Sequence, residues 1–538
     1  MYLVTADEMQ RMDRATIESF GIPGRVLMEN AGRGATAFFL EAVYRDHPGA
    51  VGIVAGRGNN GGDGFVMARY LHQKGLRATV FLLSEKSRIK GDAAANLKLL
   101  DTMGVPVVEM ADAEAFESRK PLMRHQRTWI DAILGTGLSS DVRGYFGTII
   151  DFINQQDRPV FAVDIASGLN SDTGQVCGVC IQAAATATFG FSKVGLLSYP
   201  GRTLTGQLKI IEIGIPPHVA TRIGCRQHLI TPGALKKKIP QRSAAAHKGH
   251  TGHLLILAGS PGKTGAAAMT ATAAIRAGAG LVTLGISKSL NPVLETMVTE
   301  VMTVGMPETA DGALDESAHK SVASLIKEKR CLAMGPGLGT HGSTGRLVHR
   351  LIEESHVPMV VDADGLNLIA AEPSVLSRRR SPIILTPHPG EMARLSGDST
   401  ADIQNDRIGH ARSFAERYQV HVVLKGAATV VARPDGTVFV NATGNPGMAA
   451  GGMGDVLTGL IAGLITQGVE TSAAAQAGVY LHGMAADRMA KKKAPVGYLA
   501  TEVIDTLPEV MDELLTGGDN LPWPEQDILF YPTDPTGI

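Results

Sequence analysis

The sequence predicts two α/β domains in series. Three observations carry this reading. The chain has 538 residues, too many for one hydrophobic core. Short apolar runs alternate with helical stretches, the pattern of parallel strands covered on both faces by helices. That alternation breaks between about residues 216 and 250 and then restarts.

Thr5 and Glu8 form a capping box that opens a first helix. A second helix is expected from Arg25 to Tyr44, weakened by Gly32 and Gly34. Val51–Ala55 reads as a strand ending in glycines, followed by a helix over Asp63–Lys74. Further strands are expected at Arg77–Leu83, Val105–Val108, Thr128–Leu134, Pro159–Ile165, Ala185–Phe191 and Leu208–Ile213. Pro216, Pro217, Pro232 and Pro240, the basic run Lys236–Lys238 and the small-residue run Ala244–Ala246 then interrupt the rhythm. The boundary is placed near residue 225, with domains over 1–222 and 228–516. In the second half, strands are expected at His253–Ala258, Leu281–Ile286, Pro358–Asp362, Pro382–Thr386, His421–Lys425 and Ala428–Ala432. The tail 517–538 carries four prolines and is expected to be irregular.

Composition narrows the function. Hydrophobic residues are 44% and charged residues 19%, as in a globular chain. The 51 basic residues nearly cancel the 52 acidic ones, so nothing draws nucleic acid or an anionic membrane. Aromatic content of 5% argues against a base-stacking platform. Cys177, Cys180, Cys225 and Cys331 are too few for a disulfide framework and suggest a reducing compartment. Cys177 and Cys180 lack the two further ligands a zinc site needs and are read as a turn between strands. No targeting segment is expected, and the apolar run Val456–Ile465 is about half a membrane span. A soluble, cytoplasmic protein is expected.

The chemistry concentrates in glycine-rich loops. Gly56-Arg57-Gly58-Asn59-Asn60-Gly61 fits G-x-G-x-x-G between a strand and a helix. That pattern fits a dinucleotide phosphate at a helix N-terminus and fits a tight turn equally well. The continuation Gly62-Asp63-Gly64 makes the loop polar, and asparagine oxygens suit a hard cation. Asp131 and Asp164 each close a strand, before Gly135-Thr136-Gly137 and Ser167-Gly168 respectively. Strand-end aspartates are often helix caps, but several in one domain at the carboxyl ends of strands mark a crevice. In the second half, Gly259–Gly265 resembles a Walker A run but has Leu257 where that motif needs glycine. The glycine-rich run from Asn441 to Asp455 leads into an apolar helix, whose first amides would form an anion hole. Asp455 at that start could take a proton from a hydroxyl attacking a phosphoryl group, or simply cap the helix.

Together, Met28–Gly32, Gly56–Gly64, Asp131–Gly137 and Asp164–Leu169 resemble the NAD(P)H-hydrate epimerase family over roughly residues 1–220. The resemblance implies a Rossmann-like three-layer α/β/α domain that exchanges the two hydroxyl configurations of hydrated NADH and NADPH (NADHX and NADPHX). It implies a K⁺ held by Asn60, Asp131 and Ser167. It implies substrate contacts from Asn59, Asn60, Gly61, Gly62 and Asp63, from Gly135, Thr136, Gly137, Leu138, Ser139, Ser140 and Asp141, and from Asp164 as the acid–base residue. Ala166 replaces the family's usual proline, which could relax that turn.

His247–Gly249, Gly335–Gly339, Asp362–Asn367, Thr386–Glu391, Lys425–Gly426 and Asn441–Asp455 resemble the ADP/ATP-dependent NAD(P)H-hydrate dehydratases over roughly 230–510. That family has a ribokinase-like α/β fold. Here the resemblance implies adenine-nucleotide contacts from Lys425, Gly426, Ala427, Ala428 and Thr429, and from Asn445, Pro446, Gly447, Met448, Ala449, Ala450, Gly451, Gly452, Met453 and Gly454. Gly337, the loop His388–Arg394 (with Pro389, Gly390 and Glu391) and Asp455 would face the hydrate, with Asp455 as the catalytic base. Mg²⁺ is expected with the nucleotide. Gly365 and Met453 depart from the usual alanine and hydroxyl residue.

The fusion implies clearance of both hydrate epimers, with dehydration of the S form at the expense of ADP and a homo-oligomeric assembly. A small-molecule kinase acting on a vitamin alcohol would account for the second half alone. A non-catalytic scaffold would predict loss of Asn60, Asp131, Asp164 or Asp455, and all four are present.

Overall fold

The computed structural model describes residues 1–517 and the backbone of Asp527–Ile528. The rest of the 517–538 tail lies outside the described residues. The chain divides into two compact units, residues 1–227 with 522–538, and residues 228–521.

The first unit contains β1 (Tyr2–Val4), β2 (Val51–Ala55), β3 (Ala78–Leu82), β4 (Val107–Glu109), β5 (Thr128–Ala132), β6 (Val160–Val163), β7 (Ala185–Phe189), β8 (Ser192–Lys193) and β9 (Gln207–Ile211). Its sheet runs β9-β7-β6-β5-β2-β3-β4, and every neighbouring pair is parallel. Asp527–Ile528 adds a short antiparallel partner to β9. β1 and β8 form a separate parallel pair. Neither was expected from sequence, because three and two residues are too short to show a period. All five residues of β2 are buried. Val51, Ile53 and Ala55 join one core with the helices Ala6–Glu18, Gly24–Phe39, Asn59–Gln73 and Gly91–Met103, while Val54 points to the opposite face.

The capping box at Thr5 forms as the sequence predicts, with both reciprocal bonds present. The second helix also forms, over Gly24–Phe39, and continues as a π-helical turn through Leu40–Tyr44. Its glycines, expected to weaken it, are contact points. A β-carbon on Gly32 would stand 2.5 Å from Val66 Cβ, and one on Gly34 would stand 2.2 Å from Ile211 Cγ2. The helix expected from Asp63 begins four residues earlier, at Asn59. The Asn-Asn-Gly-Gly-Asp segment is therefore the first helical turn and not a loop.

β10 (Gln227–Leu229) lies at the division. The second unit contains β11 (His253–Leu257), β12 (Leu281–Ser287), β13 (Met302–Met306), β14 (Cys331–Met334), β15 (Met359–Val361), β16 (Ile383–Leu385), β17 (His421–Leu424), β18 (Val430–Ala432) and β19 (Val438–Val440). Their order is β13-β12-β11-β14-β15-β16-β17-β18-β19. Pairs from β13 to β17 are parallel, and β17-β18-β19 is an antiparallel meander. Only five residues join β17 to β18, too few for a parallel crossover. β13, β14 and β19 were not expected from sequence. Leu254 and Ile256 of β11 face one core with the helices Thr264–Arg276, Met453–Thr466, Thr471–Lys492 and Ala500–Thr516. Leu255 and Leu257 face the other.

Among the described residues no helix is long and apolar enough to cross a membrane. Val66 branches at Cβ and cannot swing away, so Gly32→Ala forces the first unit's helices apart. We expect a loss of about 1–3 kcal/mol in equilibrium denaturant unfolding, from overpacking.

Candidate active sites

Both sites lie where the winding of a sheet reverses. In the first unit the chain winds outward from β2 through β3 to β4, then returns to β5 and winds the other way. β2 and β5 end level, Ala55 pairing with Ala132, so the segments that follow them part and leave a crevice. A cavity of about 970 Å³ opens there. Its lining includes Asn59, Asn60, Asp63, Gly135, Thr136, Gly137 and Asp164. Gly61, Gly62 and Leu138–Asp141 do not line it, and Asp141 instead pairs with Arg143 at 2.8 Å. Gly61 has a packing reason, since a β-carbon there would lie 2.1 Å from the Gly56 carbonyl oxygen.

Asp164 leaves β6 with a φ of 65°, a left-handed conformation uncommon for a side-chain-bearing residue. That turn aims its carboxylate at β7 and β8. Oδ1 accepts hydrogen bonds from Lys193 Nζ at 2.5 Å, Thr188 Oγ1 at 3.2 Å and the Phe189 amide at 3.1 Å. Lys193 is fully buried and also donates to Thr188 Oγ1 and the Phe189 carbonyl, both at 3.0 Å. It lines the cavity, as does Asp13 from the first helix. Neither residue was found by sequence reasoning. Lys193 sits in a two-residue strand with no motif around it. Asp13 lies one helical turn beyond buried Met9, and that spacing was the available signal. Burial pushes the Asp63 carboxyl well above the usual range, and Asp164 and Asp13 add to the effect.

Beside the cavity, Asp131, Ser167 and Asn60 meet around Leu134. Asp131 Oδ2 accepts the Ser167 amide at 2.7 Å, and Oδ1 accepts Ser167 Oγ at 2.6 Å. Asn60 Nδ2 donates to the Leu134 carbonyl at 2.9 Å, which leaves Asn60 Oδ1 buried with no partner among the described residues. Burial pushes the Asp131 carboxyl up to about 6, against the opposing bonds from Ser167 and Ile133. An unpartnered amide oxygen beside a desolvated carboxylate is a donor set that fits a hard monovalent cation.

In the second unit the reversal falls between β11 and β14. The loops Gly259–Lys263 and Gly335–Gly339 meet there, with Ser260 Oγ donating to the Gly337 carbonyl at 2.8 Å. Asp362 ends β15 and is 1% exposed. Lys425, ending β17, donates to its Oδ1 at 2.5 Å, and Thr458 donates to its Oδ2 at 2.8 Å. Glu391 Oε2 is 3.8 Å from Lys425 Nζ. Burial draws the Lys425 ammonium down, but Asp362, Glu391 and Asp455 outweigh it and hold it above its usual value. Asp455 sits in the first turn of the helix Met453–Thr466, whose N-cap Gly452 has φ 89° and supplies no side-chain cap. The first amides of that helix are therefore available to an anion. A methyl on Gly454 would stand 3.3 Å from both Lys425 Nζ and Asp362 Oδ2, so the glycine-rich run and Lys425 share one place. Burial raises the Asp455 carboxyl to about 6, with Asp362 adding and Lys425 opposing.

Other expected residues fall around this point. Asn445 accepts from the Gly447 amide at 3.0 Å and from Tyr498 OH at 2.8 Å, and donates to Asp487 at 3.0 Å. His388 caps the helix Pro389–Ser396 through Nδ1, while Glu391 reaches back to the His388 amide at 2.8 Å. Ala427, Ala449, Ala450 and Gly451 are exposed. Met453 is buried in the helix core, which explains an apolar residue where a hydroxyl was expected. Gly365 packs on Val361, a β-carbon there standing 2.8 Å from its Cγ1.

Two largely parallel sheets, each with buried carboxylates gathered at a candidate site near its reversal point, make this an α/β protein of two units. Family comparison agrees with the division. Residues 24–195 match the family described as YjeF-related protein N-terminus, and residues 254–509 match NAD(P)H-hydrate dehydratase. A bifunctional NAD(P)H-hydrate repair enzyme of Moorella thermoacetica is 43% identical over 96% of this chain and 97% of its own. A second, from Salinibacter ruber, is 37% identical over 95% and 96%. The crystal structure of an ADP/ATP-dependent NAD(P)H-hydrate dehydratase from Bacillus subtilis, co-crystallized with ATP/Mg²⁺, is 33% identical over 53% of this chain and 98% of that one, with TM-score 0.47. The chain belongs to the bifunctional NAD(P)H-hydrate repair enzymes, which join an epimerase to a dehydratase.

Thr458 is fully buried and satisfies one oxygen of a buried carboxylate. Thr458→Val keeps the shape and removes the bond. It should lower the second unit's stability by about 1–3 kcal/mol in denaturant unfolding.

Proposed function

We propose that the first unit interconverts the R and S forms of NADHX and NADPHX, and that the second dehydrates the S form to NADH or NADPH with ADP, releasing AMP and phosphate. The observation that carries this is the pairing of acid–base carboxylates with matched surroundings: Asp164 tied to Lys193 in one cavity, Asp455 at an uncapped helix start in the other unit.

In the second unit, the Asp455 carboxylate takes the proton of the ring hydroxyl as its oxygen attacks the β-phosphorus of ADP. The amides of Gly454 and the turn before it hold the phosphates, and Lys425 offsets their charge. AMP departs. The ring nitrogen's lone pair then expels the phosphate from the neighbouring carbon, and loss of a proton restores the ring double bond. Lys425 to Thr429 and Asn445 to Gly454 hold the nucleotide, while Gly337, His388 to Glu391 and Asp455 face the hydrate. Mg²⁺ bound with the nucleotide would further offset phosphate charge.

In the first unit, Asp164 is the acid–base residue and Lys193 its positioning partner. Asn59, Asn60, Asp63, Gly135, Thr136, Gly137 and Asp164, which line the cavity, take the substrate. Asn60, Asp131 and Ser167 would hold K⁺, whose fixed positive charge would order the turn. The protein acts in the cytoplasm as a homo-oligomer.

Two measurements test this. With an equilibrated NADHX pool, ADP, Mg²⁺ and K⁺, the wild type should convert everything. Asp164→Ala should stop after about one epimer's share, and Asp455→Asn should lose NADH formation by about 10²–10⁴-fold while still exchanging epimers. No NADH with ADP or ATP would sink the dehydratase reading.

The cation has its own signature. The folded-state carboxyl of Asp131, at about 6, is higher than its unfolded value, so the fold binds the extra proton. Without a cation, this group makes stability fall as pH rises from about 4 to about 6, by on the order of 3 kcal/mol. A cation favours the ionised form and opposes that loss. Thermal stabilisation of the first unit by K⁺ over choline should therefore be full near pH 8 and shrink below pH ~6. Equal stabilisation at pH 5 and pH 8 would exclude Asp131 as a ligand.

A further inference from the structure

We propose that Asp13 is a second catalytic acid–base residue of the first unit, handling a proton on the face of the hydrated ring opposite to Asp164. The inference rests on the epimerase reading of that site.

The reaction itself asks for two such groups. Hydration of a dihydronicotinamide double bond places the hydroxyl on the carbon beside the ring nitrogen, because the nitrogen lone pair stabilises positive charge there. Inversion at that carbon begins when an acid protonates the hydroxyl. The C–O bond breaks, water leaves, and the nitrogen lone pair forms a C=N⁺ bond. Water then adds to the other face, and a base takes one of its protons. One proton is delivered and one removed, with no change in oxidation state. A single fixed carboxylate would have to reach both faces of the ring.

The cavity offers two carboxylates from two different elements. Asp164 comes from the end of β6, and its Oδ1 already accepts three hydrogen bonds, including one from Lys193. Asp13 comes from the helix Ala6–Glu18. Met9, Asp13 and Ile17, spaced by four, present one helix face to the cavity together with Gln10. Asp13 Oδ1 is buried and has no hydrogen-bond partner among the described residues, which leaves it open to a bound hydroxyl or a proton. Three charged groups face it from the other elements of the cavity: Lys193, Asp164 and Asp63. Burial pushes its carboxyl up to about 6, with Lys193 opposing and Asp164 adding. Near neutral pH such a group can both give and take a proton. An oxygen left open in the lining of a substrate-sized cavity is placed to meet a bound ring hydroxyl.

The test uses the full chain and one purified NADHX epimer, with no nucleotide present, so that only exchange is read. Asp13→Asn should slow exchange at least about 100-fold. Epimer binding by equilibrium dialysis should stay within about 3-fold, and dehydration of the S form with ADP should be unchanged. Asp13→Ser should behave alike, and stands in if the asparagine variant does not fold. Exchange within about 3-fold of wild type in either folded variant overturns the proposal, as does loss of exchange together with loss of binding. Failure of the wild type to exchange epimers is a separate result, which removes the epimerase reading itself.

Discussion

In both units a parallel sheet is wound outward from its centre in two directions. Each crossover helix must return over the sheet to start the next strand, and at the reversal two crossovers leave in opposite senses. In the first unit the carboxyl ends of β2 and β5 open onto the cavity there. The geometry of both candidate sites follows from that constraint. Asp131 and Asp164 end neighbouring strands in the first unit, and Asp362 and Lys425 end two strands of the second. Residues far apart in sequence are held within a few ångströms by sheet registers that the cores fix.

The second common feature is how buried charge is managed. Lys193 and Asp362 are taken almost wholly out of water, which is costly unless partners replace the lost hydration. Lys193 has Asp164, Thr188 and the Phe189 carbonyl, and Asp362 has Lys425 and Thr458. These satisfied pairs set a fixed field around less satisfied neighbours. Asp13 and Asp63 in one unit, and Asp455 in the other, are each raised by burial and by a neighbouring carboxylate. Such carboxyls are suited to move protons near neutral pH, and buried Lys193 and Asp362 fix the charge around them.

Close approach is the third. The first turn of the helix Asn59–Gln73 lies so near β2 and β5 that Gly56, Gly61 and Gly64 would each place a β-carbon inside a neighbour's contact distance. This packing lets free helix amides and Asn60 reach the crevice. The same logic places Gly454 against Lys425 and Asp362.

The sequence by itself determined the two α/β units, most strand positions, the capping box at Thr5 and the motif residues at the strand ends. Those features are local: an apolar period, a cap spacing or a glycine run can be read within a dozen residues. Strands of two or three residues, such as Tyr2–Val4 and Ser192–Lys193, carry too little pattern to be seen. The antiparallel meander could have been inferred from the short link between its strands. The tertiary structure alone decided which charges meet. Lys193 lies 29 residues from Asp164, and Thr458 lies 96 residues from Asp362. Asp13 reaches the cavity only because the first helix packs with Met9 toward it. Sequence period says which face of an element is buried; only the packed sheet says what that face will meet.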